Sequence, residues 1–320
     1  MKKTRFQPID ITNIQPGERV NFWKPIYQDA VSQSVSIPII KIRGKLEGPV
    51  LGVTAAIHGD ELNGMRIIHH LLSDLDVERL KGTLVCIPIV NVPAYNANQR
   101  RFTDGLDLNH VFPGKKDGRS AEQYAKAFES TLLPVIDYLV DIHTASEGRV
   151  NTMYVRADLE NETARQMSLD FSPQIILHAK GGDGTLRGAA RKRGIPAITV
   201  EAGNPAIIQG KMVFEGEAGL RSVMAGLGLL AESQELSREP VVCKSSKWLL
   251  TVSGGLLATH FKLFDKVKKG QLLAVTHNPF GQVVNQYKAP FNGVVIGMAT
   301  NPAAVSGTRF CHLGVIGGLS

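Results

Sequence analysis

Apolar runs of strand length alternate with segments of helical periodicity over roughly the first 230 residues. The run Pro49–Ile57 is rich in β-branched residues and ends at His58. After it, apolar residues recur at helical spacing from Met65 to Leu75, which predicts a strand that leads into a helix. The preceding run, Ser36–Arg43, is also typical of a strand, and the short connection between the two runs predicts that they pair with each other.

The same alternation continues along the chain and predicts an α/β fold with a largely parallel sheet. Such sheets bind ligands beyond the carboxyl ends of their strands, and His58, His143 and Glu201 each follow or end a predicted strand. The sequence therefore predicts that these three residues converge on one edge of one sheet. The further predicted elements are an apolar run at 82–90, a helix at 123–133, an apolar run at 135–142, a helix at 186–193 closed by Gly194, and a short strand at 196–200.

A polar segment, Ser233–Pro240, ends the alternation, and helical periodicity disappears beyond it. We expect a domain boundary there, with residues 1–238 as a hydrolase domain and residues 239–320 as a smaller C-terminal domain. The second part contains short, glycine-punctuated β-rich segments, which predict a small β-sandwich or barrel.

Composition narrows the class of protein. Of the 320 residues, 43% are hydrophobic and 20% are charged, and no apolar stretch is long enough to cross a bilayer, so we expect a soluble protein. Basic residues at the start are not followed by an apolar segment of the signal-peptide kind, which predicts a cytoplasmic location. The three cysteines are widely spaced and support neither a disulfide framework nor a cysteine-bound zinc ion.

The formal net charge of +7 favours anionic partners. Because the basic residues are scattered and no aromatic stacking motif accompanies them, nucleic-acid binding is the weakest interpretation. A small anionic substrate is the favoured one.

Candidate metal ligands lie at the first strand-to-helix corner. In His58-Gly59-Asp60-Glu61, a histidine and a carboxylate three residues apart can reach one ion, and His143 would complete three ligands with an open position for water. The motif alone is weak, since chance matches are common. Its position at a strand end strengthens it.

Glu201 is the candidate for proton transfer. It lies between Val200 and Ala202, and a carboxylate buried there without a partner is expensive, so we expect it either to serve a metal-bound water as general base or to pair with Arg187 or Arg191. The first interpretation is the stronger one. Asp141, two residues before His143, falls on the same strand face, where it would either orient that imidazole or be a strand-end carboxylate that meets water.

Four ordered motifs resemble the succinylglutamate desuccinylase/aspartoacylase family, whose core is similar to zinc carboxypeptidases. They are His58–Glu61, Asp107–Gly114, Asp141–Thr144 and Thr199–Gly203. The resemblance implies a mostly parallel mixed sheet flanked by helices, one Zn²⁺ per chain held by His58, Glu61 and His143, and Glu201 as the catalytic carboxylate. The implied reaction is hydrolysis of the amide bond of an N-acyl amino acid, a small-molecule substrate, with zinc-bound water as the nucleophile.

The resemblance also implies residues that contact the substrate. An arginine before the Asp-Leu-Asn motif polarises the scissile carbonyl in the family, and Arg101 is the best match, with Arg100 second. Asn109 matches a substrate-contacting asparagine. His110 stands where the family usually has an arginine, and an imidazole offers a carboxylate fewer donors and a pH-dependent charge.

The tail resembles a biotinyl/lipoyl-like domain, but His277–Gly281, at the hairpin where a carrier lysine would lie, contains no lysine. We therefore expect the tail to narrow the entrance of the site or to form a homo-oligomer contact. His69 and His70 lie on the predicted helix after the His-Gly-Asp-Glu corner and are expected to be packing or surface residues rather than ligands. His178, His260, His277 and His312 are assigned no role. The alternatives to a deacylase are a metallocarboxypeptidase acting on short peptides and a metal-binding protein without catalysis.

Overall fold

The computed structural model describes residues 6–232 and 238–318. Over these residues the chain forms six α-helices and two β-sheets, one of 13 strands and one of four. The strands of the first part are β1 (Arg19–Gln28), β2 (Ser34–Arg43), β3 (Leu46–Ala55), β4 (Lys81–Ile87), β5 (Tyr138–His143), β6 (Arg149–Asn151), β7 (Met153–Ala157), β8 (Ile175–His178) and β9 (Ala197–Ala202). The helices are α1 (Asn63–Ser73), α2 (Val92–Asn96), α3 (Ser120–Leu132), α4 (Glu162–Asp170), α5 (Leu186–Lys192) and α6 (Gly210–Gly226). The later strands are β10 (Val241–Leu250), β11 (Gly255–Thr259), β12 (Lys266–Val267), β13 (Leu272–His277), β14 (Val283–Lys288), β15 (Gly293–Ala299), β16 (Ala303–Ala304) and β17 (Arg309–Ile316).

Four adjacent strands, in the order β4-β3-β5-β9, run parallel and form the centre of the large sheet. Antiparallel neighbours flank them, with β2 beside β4 and β7 beside β9. The predicted α/β fold with a mixed sheet and flanking helices is confirmed. Parallel neighbours bring their carboxyl ends to one edge of the sheet, where the candidate residues were expected.

The predicted pairing of β2 with β3 is wrong, because β4 lies between them and pairs with both. The crossover through α1 places β4 beside β3, as a parallel connection requires a helix between the strands. At the start of this pair a Cβ on Gly48 would lie 2.8 Å from the backbone nitrogen of Gly82, so the two strands approach too closely there for a larger residue. The outer edge of β4 is then the one left for β2.

Helices cover both faces of the sheet, so both faces are apolar. One core cluster joins the sheet to α1, α4 and α6, and the other joins it to α3 and α5. Fully buried side chains on the helices of the first cluster include Ile67, Met167 and Leu220. Tyr124 and Phe128 of α3 are fully buried in the second cluster, on the opposite face of the sheet.

The C-terminal strands extend the large sheet. β10 pairs in parallel with β8, and the order continues β10-β17-β15-β12, while β6 pairs with β15. The second sheet, β14-β13-β11-β16, shares one apolar core with these strands, which agrees in part with the predicted small β-sandwich or barrel. Of the polar segment predicted to separate two domains, residues 233–237 lie outside the described residues. No helix in the described part of the chain is long and apolar enough to cross a membrane.

Candidate active site

Three of the predicted residues meet beyond the carboxyl ends of β3 and β5. His58 follows β3 by three residues, Glu61 lies just before α1, and His143 is the last residue of β5. β3 and β5 are parallel neighbours, with Ala55 opposite Ile142, so the residues that follow them emerge side by side. All three side chains are buried.

The two imidazoles present the same nitrogen to Glu61. His58 Nδ1 lies 2.8 Å from Glu61 Oε1, and His143 Nδ1 lies 2.9 Å from Glu61 Oε2. The two Nδ1 atoms are 3.3 Å apart, and the possible ligand atoms of the three residues all lie within 4.8 Å of one another. Two imidazole nitrogens and a carboxylate converging in this way form a donor set suited to a divalent metal such as zinc.

Two carboxylates hold the opposite nitrogens of these rings. His58 Nε2 lies 3.0 Å from Asp107 Oδ1, and His143 Nε2 lies 2.9 Å from Asp141 Oδ2. The Thr54 hydroxyl donates to the other oxygen of Asp141 at 2.7 Å. An ionised carboxylate only accepts hydrogen bonds, so Asp107 and Asp141 each hold a proton on Nε2 of the neighbouring imidazole, and the Nδ1 atoms that face Glu61 are the ones that would bind a metal. Asp141 thus lies where its predicted orienting role requires.

Cations and donors surround Glu61 and keep it ionised. Burial by itself would raise the pKa of Glu61, but the imidazoles of His58 and His143 outweigh burial and hold that pKa well below its usual range. Arg100 Nη1 donates to Glu61 Oε1 at 2.8 Å, and the backbone N–H of Thr144 donates to Oε2 at 3.0 Å. A carboxylate held charged and fixed in this way is a competent metal ligand.

The small side chain of Gly59 allows the loop that carries these residues to pack closely against α2. A Cβ on Gly59 would lie 2.1 Å from the backbone carbonyl carbon of Ala94. Asn91 ties the two segments together, because its side-chain amide donates to the Ile57 carbonyl and its oxygen accepts from the Ala94 N–H at the helix start. The His-Gly-Asp-Glu motif therefore needs glycine at its second position, because a larger side chain would clash with the backbone of α2.

Glu201 lies beside His143, since the two residues are direct partners in the β5–β9 pair. Its side chain is 13% exposed, and Asn151 Nδ2 donates to its Oε2 at 3.3 Å. Arg156 Nη1 is 3.9 Å from its Oε1, so the nearby cation is neither Arg187 nor Arg191. Burial raises the pKa of Glu201, with opposition from the positive groups around it, which suits a group that both takes up and releases a proton.

The two neighbouring arginines lie in different places. Arg100 is half-buried, and besides Glu61 it binds Asp107, with Nε at 3.1 Å and Nη2 at 2.9 Å from Oδ2. Arg101, the residue preferred from the sequence, is exposed and donates to the Gly105 carbonyl at 3.0 Å. Both border the cavity, but Arg100 is the one that contacts a candidate metal ligand.

Asn109 and His110 lie on a short 3₁₀ turn, Leu108–His110, that borders the same cavity. The Asn109 side-chain oxygen accepts from the backbone N–H of Leu186 at 2.9 Å, which fixes the amide at the start of α5. The His110 side chain is 72% exposed, and its Nδ1 is 4.0 Å from Asp107 Oδ2. Asn109 and His110 thus lie on one wall of the cavity, from which they could contact a bound substrate.

The cavity over these residues has a volume of about 410 Å³, and several of its lining residues were not predicted. The side chains from the C-terminal strands are Trp248, Arg309 and His312, and from the first part of the chain they include Arg149 and Asn151. His312 was assigned no role from the sequence. None of these residues belongs to a motif. They reach the site because β6 pairs with β15, β15 with β17, and β17 with β10. Such long-range pairings leave no local signal in the sequence.

Comparison with known proteins gives one consistent family. Residues 47–227 match the family model described as the succinylglutamate desuccinylase/aspartoacylase catalytic domain. The chain is 26% identical over 280 residues to the N-alpha-acetyl-L-2,4-diaminobutyric acid deacetylase of Halomonas elongata, covering 82% of this chain and 80% of that protein.

Two solved structures extend the likeness beyond the catalytic segment. A succinylglutamate desuccinylase from Silicibacter sp. TM1040 superposes with a TM-score of 0.82 at 26% identity, covering 94% of this chain and 95% of the other. The product-bound ectoine utilization protein EutE (DoeB) from Ruegeria pomeroyi does so with a TM-score of 0.84 at 25% identity, covering 95% and 98%. The C-terminal strands are therefore part of the shared architecture.

Proposed function

Since the chain belongs to the succinylglutamate desuccinylase/aspartoacylase family, we propose that it is a zinc-dependent hydrolase that cleaves the amide bond of an N-acyl amino acid. His58, Glu61 and His143 are the proposed zinc ligands, one ion per chain, and Glu201 is the proposed proton-transfer group. The deacetylase from Halomonas elongata supports this class of reaction.

One observation carries the proposal. Two buried imidazoles, each held at Nε2 by its own carboxylate, direct their Nδ1 atoms at opposite oxygens of one buried glutamate, with a further glutamate in register on the next strand. A purely structural cluster has no need of two carboxylates that fix the outer nitrogens of both rings while both Nδ1 atoms converge on a third carboxylate. When bound there, zinc supplies an activated water and polarises the carbonyl of the amide.

The residues of this chain supply the rest of the chemistry. Glu201 takes a proton from the nucleophile and returns it to the departing amine, for which its raised pKa suits it. Arg100, fixed by Glu61 and Asp107, presents a permanently charged guanidinium toward the developing oxyanion. We assign that role to Arg100 in preference to Arg101, whose side chain is directed to Gly105.

The other wall is the proposed substrate-binding face. The side-chain oxygen of Asn109 accepts from the Leu186 N–H, and this contact does not involve the side-chain nitrogen. The nitrogen can therefore donate to the substrate. His110 is the second proposed contact and Arg101 lies at the rim. The cavity volume of about 410 Å³ falls within the range of small-molecule sites.

We further propose that residues 1–238 form the hydrolase domain and that residues 239–320 form a biotinyl/lipoyl-like domain without a carrier function. Its side chains in the cavity wall support the role of narrowing the entrance. A homo-oligomer contact stays the alternative role for this domain, and the cytoplasmic location stays a prediction.

The test is Glu201→Gln, assayed with a panel of N-acetyl, N-succinyl and N-formyl amino acids and short peptides. The substitution removes the basic group at nearly constant volume, so zinc content and fold should survive while turnover falls roughly 10²–10⁴-fold. Glu47→Gln, at a side chain that is 93% exposed, is the matched control and should retain full activity. Near-normal turnover of Glu201→Gln at full zinc occupancy would exclude Glu201 as the proton carrier, and cleavage of the peptides alone would favour a carboxypeptidase.

A further inference from the structure

Arginine dominates the charge of the cavity. Six arginines and three carboxylates line it, and the carboxylates are those of Glu61, Asp107 and Glu201. Four of the six guanidinium groups form a hydrogen bond or an ion pair with another protein group. These are Arg100 with Glu61 and Asp107, Arg101 with the Gly105 carbonyl, Arg156 with Glu201, and Arg187 with Thr199 and the Ala179 carbonyl.

The remaining two, Arg149 and Arg309, differ from the others. Within residues 6–232 and 238–318, neither guanidinium forms an ion pair with a carboxylate or donates to a protein acceptor. Both line the same cavity. Burial, and then the charges of Arg100 and Arg309, lower the pKa of Arg149, while the negative charge of Glu201 acts in the opposite direction. Two cations in one cavity that lack an ion-pair partner among the described residues form a site that a bound anion would stabilise.

Strand pairing brings these two residues together from distant parts of the sequence. Arg149 starts β6 and lies opposite Ala299 at the end of β15. Arg309 starts β17, the strand on the other side of β15, where Met298 lies opposite Cys311. β6 and β17 are thus two strand spacings apart, roughly 10 Å, a gap that two arginine side chains can close around one small group.

An aromatic wall lies behind the pair. The guanidinium of Arg149 lies 5.5 Å from the ring centroid of Trp248, and the Trp248 ring stacks on His312 with centroids 4.7 Å apart and an interplanar angle of 9°. His312 is 4% exposed, and its Nδ1 has no partner among the described residues. Burial, and then the charges of Arg156, Arg149 and Arg309, lowers the pKa of His312 to about 3, so this wall is neutral and leaves the charge to the arginines.

We infer that Arg149 and Arg309, backed by Trp248, form a subsite for a carboxylate of the N-acylated substrate, so that both parts of the chain contribute to substrate selection. The inference rests on the proposed function for the identity of the substrate. Guanidinium groups bind carboxylates through short, charge-assisted hydrogen bonds, and a flat aromatic ring holds a guanidinium in place from one side. The carboxylate can belong to the amine half or to the acyl half of the substrate.

Pairs of substrates that differ only by an acid and its amide distinguish these sources. N-acetylalanine against its α-carboxamide tests the α-carboxylate, N-acetylglutamate against N-acetylglutamine tests the side chain, and N-succinylalanine against N-succinamoylalanine tests the acyl half. In at least one pair, kcat/KM of the zinc-loaded protein should favour the acid by about 10- to 100-fold, the range of a hydrogen bond to a charged group. Arg149→Gln and Arg309→Gln should each reduce that preference about tenfold or more, mainly through KM, with a larger loss of kcat/KM for the acid than for its amide.

Two controls define the outcome. Arg309→Lys keeps the charge but not the fork of donors and should restore part of the preference. Arg79→Gln changes a 66% exposed arginine that precedes β4, at the edge of the sheet opposite the site, and should behave as the unaltered protein. An acid preference equal to that of the unaltered protein in both glutamine variants would overturn the subsite.

A binding measurement keeps the inference testable if no substrate in the panel is hydrolysed. Calorimetric titration of the unaltered protein with glutarate should give binding that weakens at least tenfold in Arg149→Gln and Arg309→Gln, at unchanged zinc content and melting temperature. Binding of glutarate that is the same in all variants would refute the subsite, whereas absent hydrolysis with variant-sensitive binding would refute only the proposed reaction.

Discussion

A Cβ at Gly297 should impair proton transfer at Glu201 from a strand that contains neither the candidate metal ligands nor Glu201. Gly297 lies on β15, between Asn151 of β6 and His312 of β17, and it is buried. A Cβ there would lie 2.3 Å from Asn151 Oδ1 and 3.1 Å from the Val150 carbonyl oxygen. The first contact is impossible, so the Asn151 amide must turn away, while the second adds only local strain.

The consequence follows from what Asn151 does. Its Nδ2 donates to Glu201 Oε2 at 3.3 Å, and it is 6% exposed, so few other positions are open to its amide. A hydrogen bond to a charged group contributes about 1.5–3 kcal/mol. If that contact is needed to hold Glu201 in its reactive position, Gly297→Ala should lower kcat by at least about tenfold, since 1.4 kcal/mol corresponds to one factor of ten. Overpacking should also reduce the free energy of unfolding by about 1–3 kcal/mol.

A double-mutant cycle separates the two effects. Asn151→Ala removes both the clashing oxygen and the donor, so Gly297→Ala in that background should lower kcat far less than it does in the unaltered protein. Gly210→Ala, at the start of α6, is the matched control because its Cβ would meet no atom within 4 Å. The reasoning fails if Gly297→Ala folds with normal kcat, or if the effects of the two substitutions on kcat simply multiply.

Two further predictions concern metal binding and the thiols. His58→Ala and His143→Ala should each lose stoichiometric zinc, because either leaves two ligands, whereas His70→Ala, at a side chain that is 50% exposed, should retain it. Metal analysis after dialysis decides this, and full zinc content in both ligand variants would contradict the assignment. The native protein should resist a thiol reagent at pH 8 and react at three sites once unfolded, since burial raises the pKa of each thiol to about 12, and rapid labelling of the native protein would contradict the burial. The three thiols are those of Cys86, Cys243 and Cys311.

Local sequence patterns predict much of the fold around the candidate site. Apolar runs that end in His58, His143 and Glu201 place three polar residues where parallel strands end, and that edge is where the structure has them. Local patterns do not predict the order of the strands in the sheet, because that order depends on which strand edges remain free after each crossover. For that reason β4, rather than β3, is the neighbour of β2.

The choice between Arg100 and Arg101 shows a second limit. Both belong to the same loop and carry the same charge, so spacing to the Asp-Leu-Asn motif cannot separate them. The decision is made in three dimensions, by which side chain can reach Asp107 and Glu61 at once. A prediction from sequence would need the backbone angles of an irregular loop, which no periodicity supplies.

The contribution of the C-terminal strands to the site is the part that is hardest to predict from sequence. Arg149 belongs to none of the four motifs, and Arg309 is 160 residues away from it, yet the strands on the two sides of β15 bring both into the lining of one cavity. The same strand supplies Gly297, whose missing side chain leaves room for the Asn151 amide against Glu201. One strand outside the catalytic motifs therefore lies next to both the proposed proton-transfer group and the proposed carboxylate subsite. For this reason we expect substitutions along β15 to change kcat and substrate preference separately, according to which flank they disturb.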